Sequence, residues 1–307
     1  MPHKPVLLQE VLQCLNLKSG DIVLDGTLGS GGHALEILKR IGPSGRLIGL
    51  DQDTAAIVRC RETLKDFQGQ ISLHSENYRN AGNVLETLNI PALDAVILDV
   101  GLSSEQLEDA VRGFSFDRSG PLDMRMDPRA SNRARDLVND LSEDELERLF
   151  RELGEERWAR RIAGNIFRER AKQPIETTDD LVRVIEQALP RRTRFRKGHR
   201  PGWARRHPAT RAFQALRIAA NDELGALREG LPVLWKGIKP GGRLAVITFH
   251  SLEDRIVKHQ FRMWAQTEGA VLLTKKPITA TREEAVANPR SRSAKLRVVE
   301  KSHERCG

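Results

Sequence analysis

The chain has 307 residues, enough for one large or two modest domains with a sizeable core. With 39% apolar and 30% charged residues it has the balance of an ordinary soluble protein, and its longest apolar runs, such as 95–98, are far too short to span a bilayer. The net charge of +8 is local: nine Lys/Arg and no acid lie between Arg191 and Arg211, which leaves the remainder one unit negative. Residues 1–10 lack the long apolar core of a signal peptide. Cys14, Cys60 and Cys306 are isolated, so a reducing cytoplasm is the expected location.

In chain order, the apolar run Ile22-Val23-Leu24 reads as a strand that ends on Asp25. The glycine-rich turn 26–32 follows, and then a helical pattern carried by Ala34, Leu35, Ile37, Leu38 and Ile41. Strand, glycine turn and helix form the opening unit of a nucleotide-binding α/β sheet. Gly29, Gly31 and Gly32 let a ligand approach the backbone, and Asp25 adds a carboxylate suited to a cationic or hydroxyl-bearing ligand. Further strands are read at 46–50, ending in Asp51-Gln52-Asp53, at 71–74, leading to Asn77-Tyr78, and at 95–99. Helices are read between them, near 54–67 and 81–88. Continuous apolar strands alternating with helices predict a parallel sheet covered on both faces.

From about residue 105 to 189 no strand pattern remains. Helices are predicted at 142–150, where Ser142 and Glu145 form a capping box, at 178–185, and as one continuous segment from Arg211 to Leu227. A buried strand returns at 241–249, and the segments 271–274 and 294–299 suit a closing antiparallel pair. The expected organisation is an α/β domain in two parts, 1–104 and 212–307, interrupted by a helical domain at 105–211.

The turn also fits a dinucleotide pattern, through Gly29, Gly31 and Ala34 with Asp51 beyond it, so a nicotinamide cofactor competes with other adenosyl ligands. Asp25 at the strand end, and the absence of a hydride-transfer constellation downstream, favour S-adenosylmethionine. The first motif, Asp25-x-x-x-Gly29-Ser30-Gly31, is similar to that of amino-group methyltransferases. Further motifs stand in order along the chain: His3-x-Pro5-Val6-Leu7-Leu8-x-Glu10, Gly31-Gly32-His33, Asp99-x-Gly101-x-Ser103-Ser104-x-Gln106-Leu107, and Arg112-Gly113-Phe114-Ser115-Phe116. They continue with residues 120–127, 154–157, His207-Pro208-Ala209-Thr210-Arg211 and Phe249-His250-Ser251-Leu252-Glu253-Asp254-Arg255, with a weaker echo at 288–290. Together they resemble the bacterial 16S rRNA cytosine-N4 methyltransferases, from residue 3 to about 258.

That resemblance implies a Rossmann-like class I S-adenosylmethionine-dependent methyltransferase sheet with an inserted all-helical domain. It implies methylation of a decoding-region cytidine of 16S rRNA in the small ribosomal subunit. It assigns cofactor contacts to Gly31, Gly32, His33, Asp51, Asp99 and Gln106, and an aromatic contact to Tyr78, the only tyrosine. Asp99 is also the candidate for orienting the cytosine amino group, because the prolines and aromatic that serve many amino methyltransferases after strand four are absent. Phe114 and Phe116 are candidates to receive an unstacked base, Arg112 and His250 to contact substrate, and Arg192, Arg194, Arg196 and Lys197 to contact RNA phosphates. No cluster has metal-ligand spacing, so no metal is expected, and a homodimer is left open.

Several of these residues have plainer readings. Asp51 suits a helix cap ahead of Thr54, and His33 a cap of the turn. Phe114, Phe116 and Met124 suit the core of the insertion, and Arg112, Arg125 and Asp127 a set of internal ion pairs. A non-catalytic rRNA-binding or ribosome-assembly protein is the alternative from outside enzymology.

Overall fold

The computed structural model describes residues 5–190 and 207–303. The strands are β1 (Ile22–Asp25), β2 (Arg46–Leu50), β3 (Ile71–His74), β4 (Leu93–Asp99), β5 (Ile238–Thr248), β6 (Val271–Leu272) and β7 (Lys295–Glu300). The first seven helices are α1 (Leu8–Leu15), α2 (Gly32–Ile41), α3 (Thr54–Thr63), α4 (Ala81–Thr87), α5 (Ser104–Glu108), α6 (Ala134–Asp140) and α7 (Glu143–Glu152). After them come α8 (Ala159–Arg170), α9 (Thr178–Ala188), α10 (Thr210–Asn221), α11 (Glu223–Gly237), α12 (Ser251–Thr267) and α13 (Arg282–Ala287). Among the described residues no helix is long and apolar enough to cross a membrane.

The chain divides into two compact units, residues 1–102 with 224–307, and residues 103–223. The first unit holds one seven-stranded sheet of order β3-β2-β1-β4-β5-β7-β6. Strands β1 to β5 run parallel to one another, while β7 is antiparallel to both β5 and β6. The predicted closing pair is therefore present, and it gives the Rossmann-like sheet one reversed strand, β7, between β5 and β6. The two-residue period of the strands sorts their side chains between two cores. Val23, Leu47, Ile97 and Ile247 face α1, α2 and α3, while Leu24, Ile48, Val96, Leu98 and Val246 face α4, α11 and α12.

The second unit is helical, with a single isolated bridge between Pro121 and Thr177 and no strand among its described residues. Helix α7 packs on α8, α8 on α9, and α10 on α6 and α7. Leu146, Phe150, Ile162, Ile166, Leu181, Ile185 and Leu216 are buried there. Ser142 and Glu145 form the predicted capping box. The segment expected as one helix from Arg211 to Leu227 is broken. Asp222 adopts a left-handed conformation with φ 46°, and its N–H closes the last turn of α10 on Ala219 and Ile218. The Arg217 guanidinium holds both oxygens of Glu223 just beyond, at 2.7 and 2.9 Å. Residues 212–223, expected with the sheet, consequently fall in the helical unit.

Candidate active site

Parallel pairing brings the ends of three strands level, since Asp25 stands beside Gly49 and Ile97, and each of these strands finishes on or just before an aspartate. The crevice at the carboxyl ends of β1 and β4 is the place where the strand order reverses, which is where open α/β sheets bind ligands. The glycine turn that fills this end is tied down by side chains. Asp25 Oδ1 accepts from the Thr27 amide at 3.0 Å, and the Thr27 hydroxyl oxygen accepts from the Asp99 amide at 2.6 Å. Asp51 accepts from the Gly29 amide at 2.8 Å through Oδ2 and from the Asp53 amide at 2.8 Å through Oδ1. Gly29 and Gly31 have φ of 53° and 79°, a left-handed backbone that favours glycine.

Asp51 is not the helix cap. That role belongs to Asp53, whose carboxylate accepts from the Ala55 amide at 3.0 Å. The dinucleotide reading also loses its footing, because the Gly29 amide is directed to Asp51 and not toward a phosphate.

The three carboxyls share one electrostatic condition. Burial pushes Asp25 and Asp99 up to about 7 and Asp51 up to about 6, and the Asp99 and Asp51 charges add to the shift at Asp25. The Arg290 guanidinium draws Asp99 downward without cancelling burial. Asp99 Oδ1 is buried and has no hydrogen-bond partner among the described residues. A cluster of under-compensated buried carboxyls suits a cationic, donor-rich ligand such as the ammonium, sulfonium and ribose hydroxyls of S-adenosylmethionine.

His33 lies in the first turn of α2, buried. Its Nε2 is 3.0 Å from the Val6 carbonyl and its Nδ1 is 3.7 Å from Asp99 Oδ2. A carbonyl only accepts, so Nε2 carries the proton. Burial lowers the His33 pKa, which keeps the ring neutral. Gly32 is glycine for a steric reason: a Cβ there would lie 2.5 Å from Pro5 Cγ. Residues 5–7 are thus laid against the loop and fastened beyond it, where the Leu7 amide donates to Glu284 at 2.8 Å.

Tyr78 follows β3 and is set by Asn77. The Asn77 side chain accepts from the Arg79 amide at 3.0 Å and donates to Gln52 at 2.9 Å, which joins the β2 and β3 loops. The Tyr78 ring lies against α11, where a Cβ on Gly230 would meet its Cδ2 at 2.5 Å. His250 stands at the end of β5 as the cap of α12, its Nδ1 accepting from the Glu253 amide at 3.4 Å. Glu253 returns the contact by accepting from the Phe249 and His250 amides at 2.8 and 3.2 Å.

The remaining candidates lie in the helical unit. Gln106 is buried at the start of α5, where its Oε1 accepts from the Ser103 amide at 3.0 Å in a capping box. Arg112 donates to the carbonyls of Arg125 and Met126, both at 2.9 Å, a brace through the backbone where the plainer reading had an ion pair. Arg125 makes a two-pronged pair with Asp123, at 2.8 and 2.7 Å, and Arg129 pairs with Asp127. Phe114 is buried beneath the Arg112 guanidinium, 5.7 Å from ring centroid to Cζ. Phe116 is partly exposed, with its ring centroid 4.7 Å from that of His207 and 4.9 Å from that of Phe213. Arg192, Arg194, Arg196 and Lys197 lie outside the described residues.

Two residues near Asp99 stood within motifs of the sequence but were given no role at the site. Glu253 raises the Asp99 pKa and Arg290 lowers it, and Arg290 Nη2 donates to the Leu102 carbonyl at 2.6 Å. Both come from the far end of the chain and meet Asp99 only through the sheet.

Residues 1–302 match the MraW methylase family. The ribosomal RNA small subunit methyltransferase H of Symbiobacterium thermophilum is 47% identical over 314 residues, covering 97% of this chain and 96% of that protein. The protein of the same name from Geobacter sp. strain M21 is 49% identical over 315 residues, covering 97% and 98%. Among solved structures, an rRNA methylase from Streptococcus thermophilus superposes over 99% of each chain with 10% identity and a TM-score of 0.44. With its motifs in order and the match running almost end to end, the chain belongs to the MraW methylase family.

Proposed function

We propose that this S-adenosylmethionine-dependent methylase transfers a methyl group to the exocyclic N4 of a cytidine in the decoding region of 16S rRNA, with the small ribosomal subunit in the cytoplasm as substrate. The observation that carries the reading is the orphaned Asp99 Oδ1 at the glycine turn, an acceptor placed to receive a donor that the described residues do not supply.

In this reading Asp51 takes the ribose hydroxyls while it holds the Gly29 amide, and Tyr78 offers its ring to the adenine. Asp25, the backbone of Gly29, Gly31 and Gly32, and Gln106 complete the cofactor's surroundings. His33, neutral and fastened to Val6, positions both the loop and Asp99. S-adenosylmethionine supplies an electrophilic methyl on sulfur. An exocyclic cytosine nitrogen is a poor nucleophile because its lone pair is delocalised into the ring. Asp99 accepts an amino N–H and turns the lone pair toward the methyl. As the N–C bond forms and the C–S bond breaks, Asp99 takes the proton that nitrogen sheds, a step suited to a carboxyl poised at about 7. Phe116, the partly exposed ring of the two, receives the unstacked base, while His250 lines its approach and Arg112 braces the segment that carries Phe114. Arg192, Arg194, Arg196 and Lys197 neutralise RNA phosphates.

The test is transfer of labelled methyl from S-adenosylmethionine to unmodified small subunits, followed by nucleoside analysis. Label on N4 of cytidine is expected. Label on a ring carbon, on adenine or on protein overturns the assignment.

A further inference from the structure

The wall of the sheet unit away from the glycine turn carries a second basic surface. Helix α12 buries Val257, Phe261 and Trp264 against the sheet. At ~100° per residue, Arg255, Lys258, His259 and Arg262 fall within about 100° of arc on its other side. Arg255, His259 and Arg262 are exposed. The two acids at the start of the helix are engaged elsewhere. Glu253 is buried in the cap, and Asp254 holds Arg297 at 2.7 Å and Lys295 at 3.3 Å. Beside this face lies an open groove of about 420 Å³, lined by Arg255, Ile256, His259, Gln260 and Met263 of α12 and by Arg228 of α11.

We infer that the α11–α12 groove is a second RNA contact, which takes the phosphodiester backbone of the substrate rRNA through residues other than those of the basic stretch 191–211. Three features select RNA. Fixed cations stand on both sides of the groove, Arg228 on one helix and Arg255 on the other, as a polyanion requires. Ile256 and the exposed Met263 give it an apolar strip against which a ribose or base can lie. Val257, Phe261 and Trp264 of α12 point into the sheet, which leaves Ile256 and Met263 as a strip too narrow for the helix to lie in a lipid surface. Arg255 is one turn into the helix that His250 caps at the end of β5, so an RNA strand held here runs toward the crevice end of the same sheet.

The inference rests on the reading of rRNA as substrate, and the experiment separates the two. Arg228, Arg255 and Arg262 are replaced together by Gln, and binding to small subunits is followed from 50 to 200 mM salt. Each lost phosphate contact lowers the log–log salt slope by about 0.7, so the slope should fall by about 2 and the wild-type advantage should shrink about 20-fold across that range. Affinity for S-adenosylmethionine should not move. A slope equal to that of wild type overturns the groove while wild-type methyl transfer still stands; a wild type that transfers nothing to rRNA overturns the functional reading itself. A photoreactive phenylalanine analogue placed at His259 gives the second readout. Crosslinks to rRNA are expected, and crosslinks to a ribosomal protein, or none in a complex that still transfers methyl, overturn the assignment.

Discussion

Asp99→Asn tests the electrostatic condition of the site. The wild-type carboxyl has one oxygen buried without a partner among the described residues and the other 3.7 Å from a neutral imidazole nitrogen, and burial moves its pKa from 3.8 to about 7. Because the folded pKa is raised, the associated stability is complete below the unfolded value and is lost as pH rises through about 7. A shift of roughly three units corresponds to about 4 kcal/mol at ~1.4 kcal/mol per unit. The side chain is 22% exposed, so water screens part of the charge, and about 2 kcal/mol is the expected size. Asparagine keeps the shape and removes the ionisation. Cofactor-free variant and wild type should therefore be equally stable near pH 3, below the unfolded value, and at pH 8.5 the variant should be more stable by about 2 kcal/mol, measured by denaturant unfolding at each pH. Binding should show the opposite preference. A cationic ligand favours the carboxylate, so wild-type affinity for S-adenosylmethionine should climb between pH 5.5 and 8 with proton release in calorimetry. The variant should bind more weakly and with little pH dependence. A stability difference that does not change with pH would refute the reasoning, because it would mean that the wild-type carboxyl does not titrate in that window.

Gly230→Ala should displace the Tyr78 ring, costing about 1–3 kcal/mol in a thermal melt and weakening cofactor affinity; unchanged affinity would remove Tyr78 from the site. Tyr78→Phe keeps the ring and should bind the cofactor as wild type does. Gly32→Ala should push Pro5 away and loosen residues 5–7, which limited proteolysis near the amino terminus would detect as faster cleavage. Arg112→Lys cannot serve both carbonyls and should lower stability by about 1–3 kcal/mol; normal stability with lost methyl transfer would make Arg112 a substrate contact instead of a brace. Replacing Arg192, Arg194, Arg196 and Lys197 with Gln should weaken subunit binding and flatten its salt dependence by about 0.7 per contact, leaving cofactor binding intact.

The legible parts of the fold were those set by local pattern. Strands β1 to β4 and their helices follow from short apolar runs punctuated by glycine and aspartate, and Ser142 with Glu145 marks a helix start on its own. The break at Asp222 was not legible, because the apolar spacing continues across it and only the left-handed turn, held beside the Arg217–Glu223 pair, stops the helix. At the site, position at a strand end picked out Asp25, Asp51 and Asp99, but not what each carboxylate holds. Asp51 and Asp53 are both plausible caps by sequence, and the choice depends on which amide, Gly29 or Ala55, each can reach. Arg290 and Glu253 escaped because their effect on Asp99 is carried through space by strands paired across most of the chain.

Strands β4 and β5 are neighbours in the sheet, yet residues 100–237 intervene between them. A chain that leaves the ribosome amino end first therefore completes β1 to β4 long before β5 exists. During that interval β4, whose residues 95–98 are wholly apolar, presents an open edge, the kind of surface that captures other nascent chains. Loop-closure entropy grows slowly, by about 0.6 kcal/mol for each doubling of length, so the long interruption is a hazard of timing more than of stability. A fragment that stops at residue 237 keeps the glycine turn and all three strand-end aspartates but lacks the partner strand of β4. It should be made in full and recovered insoluble, while extension through residue 303, which adds β5, β6 and β7, should restore solubility.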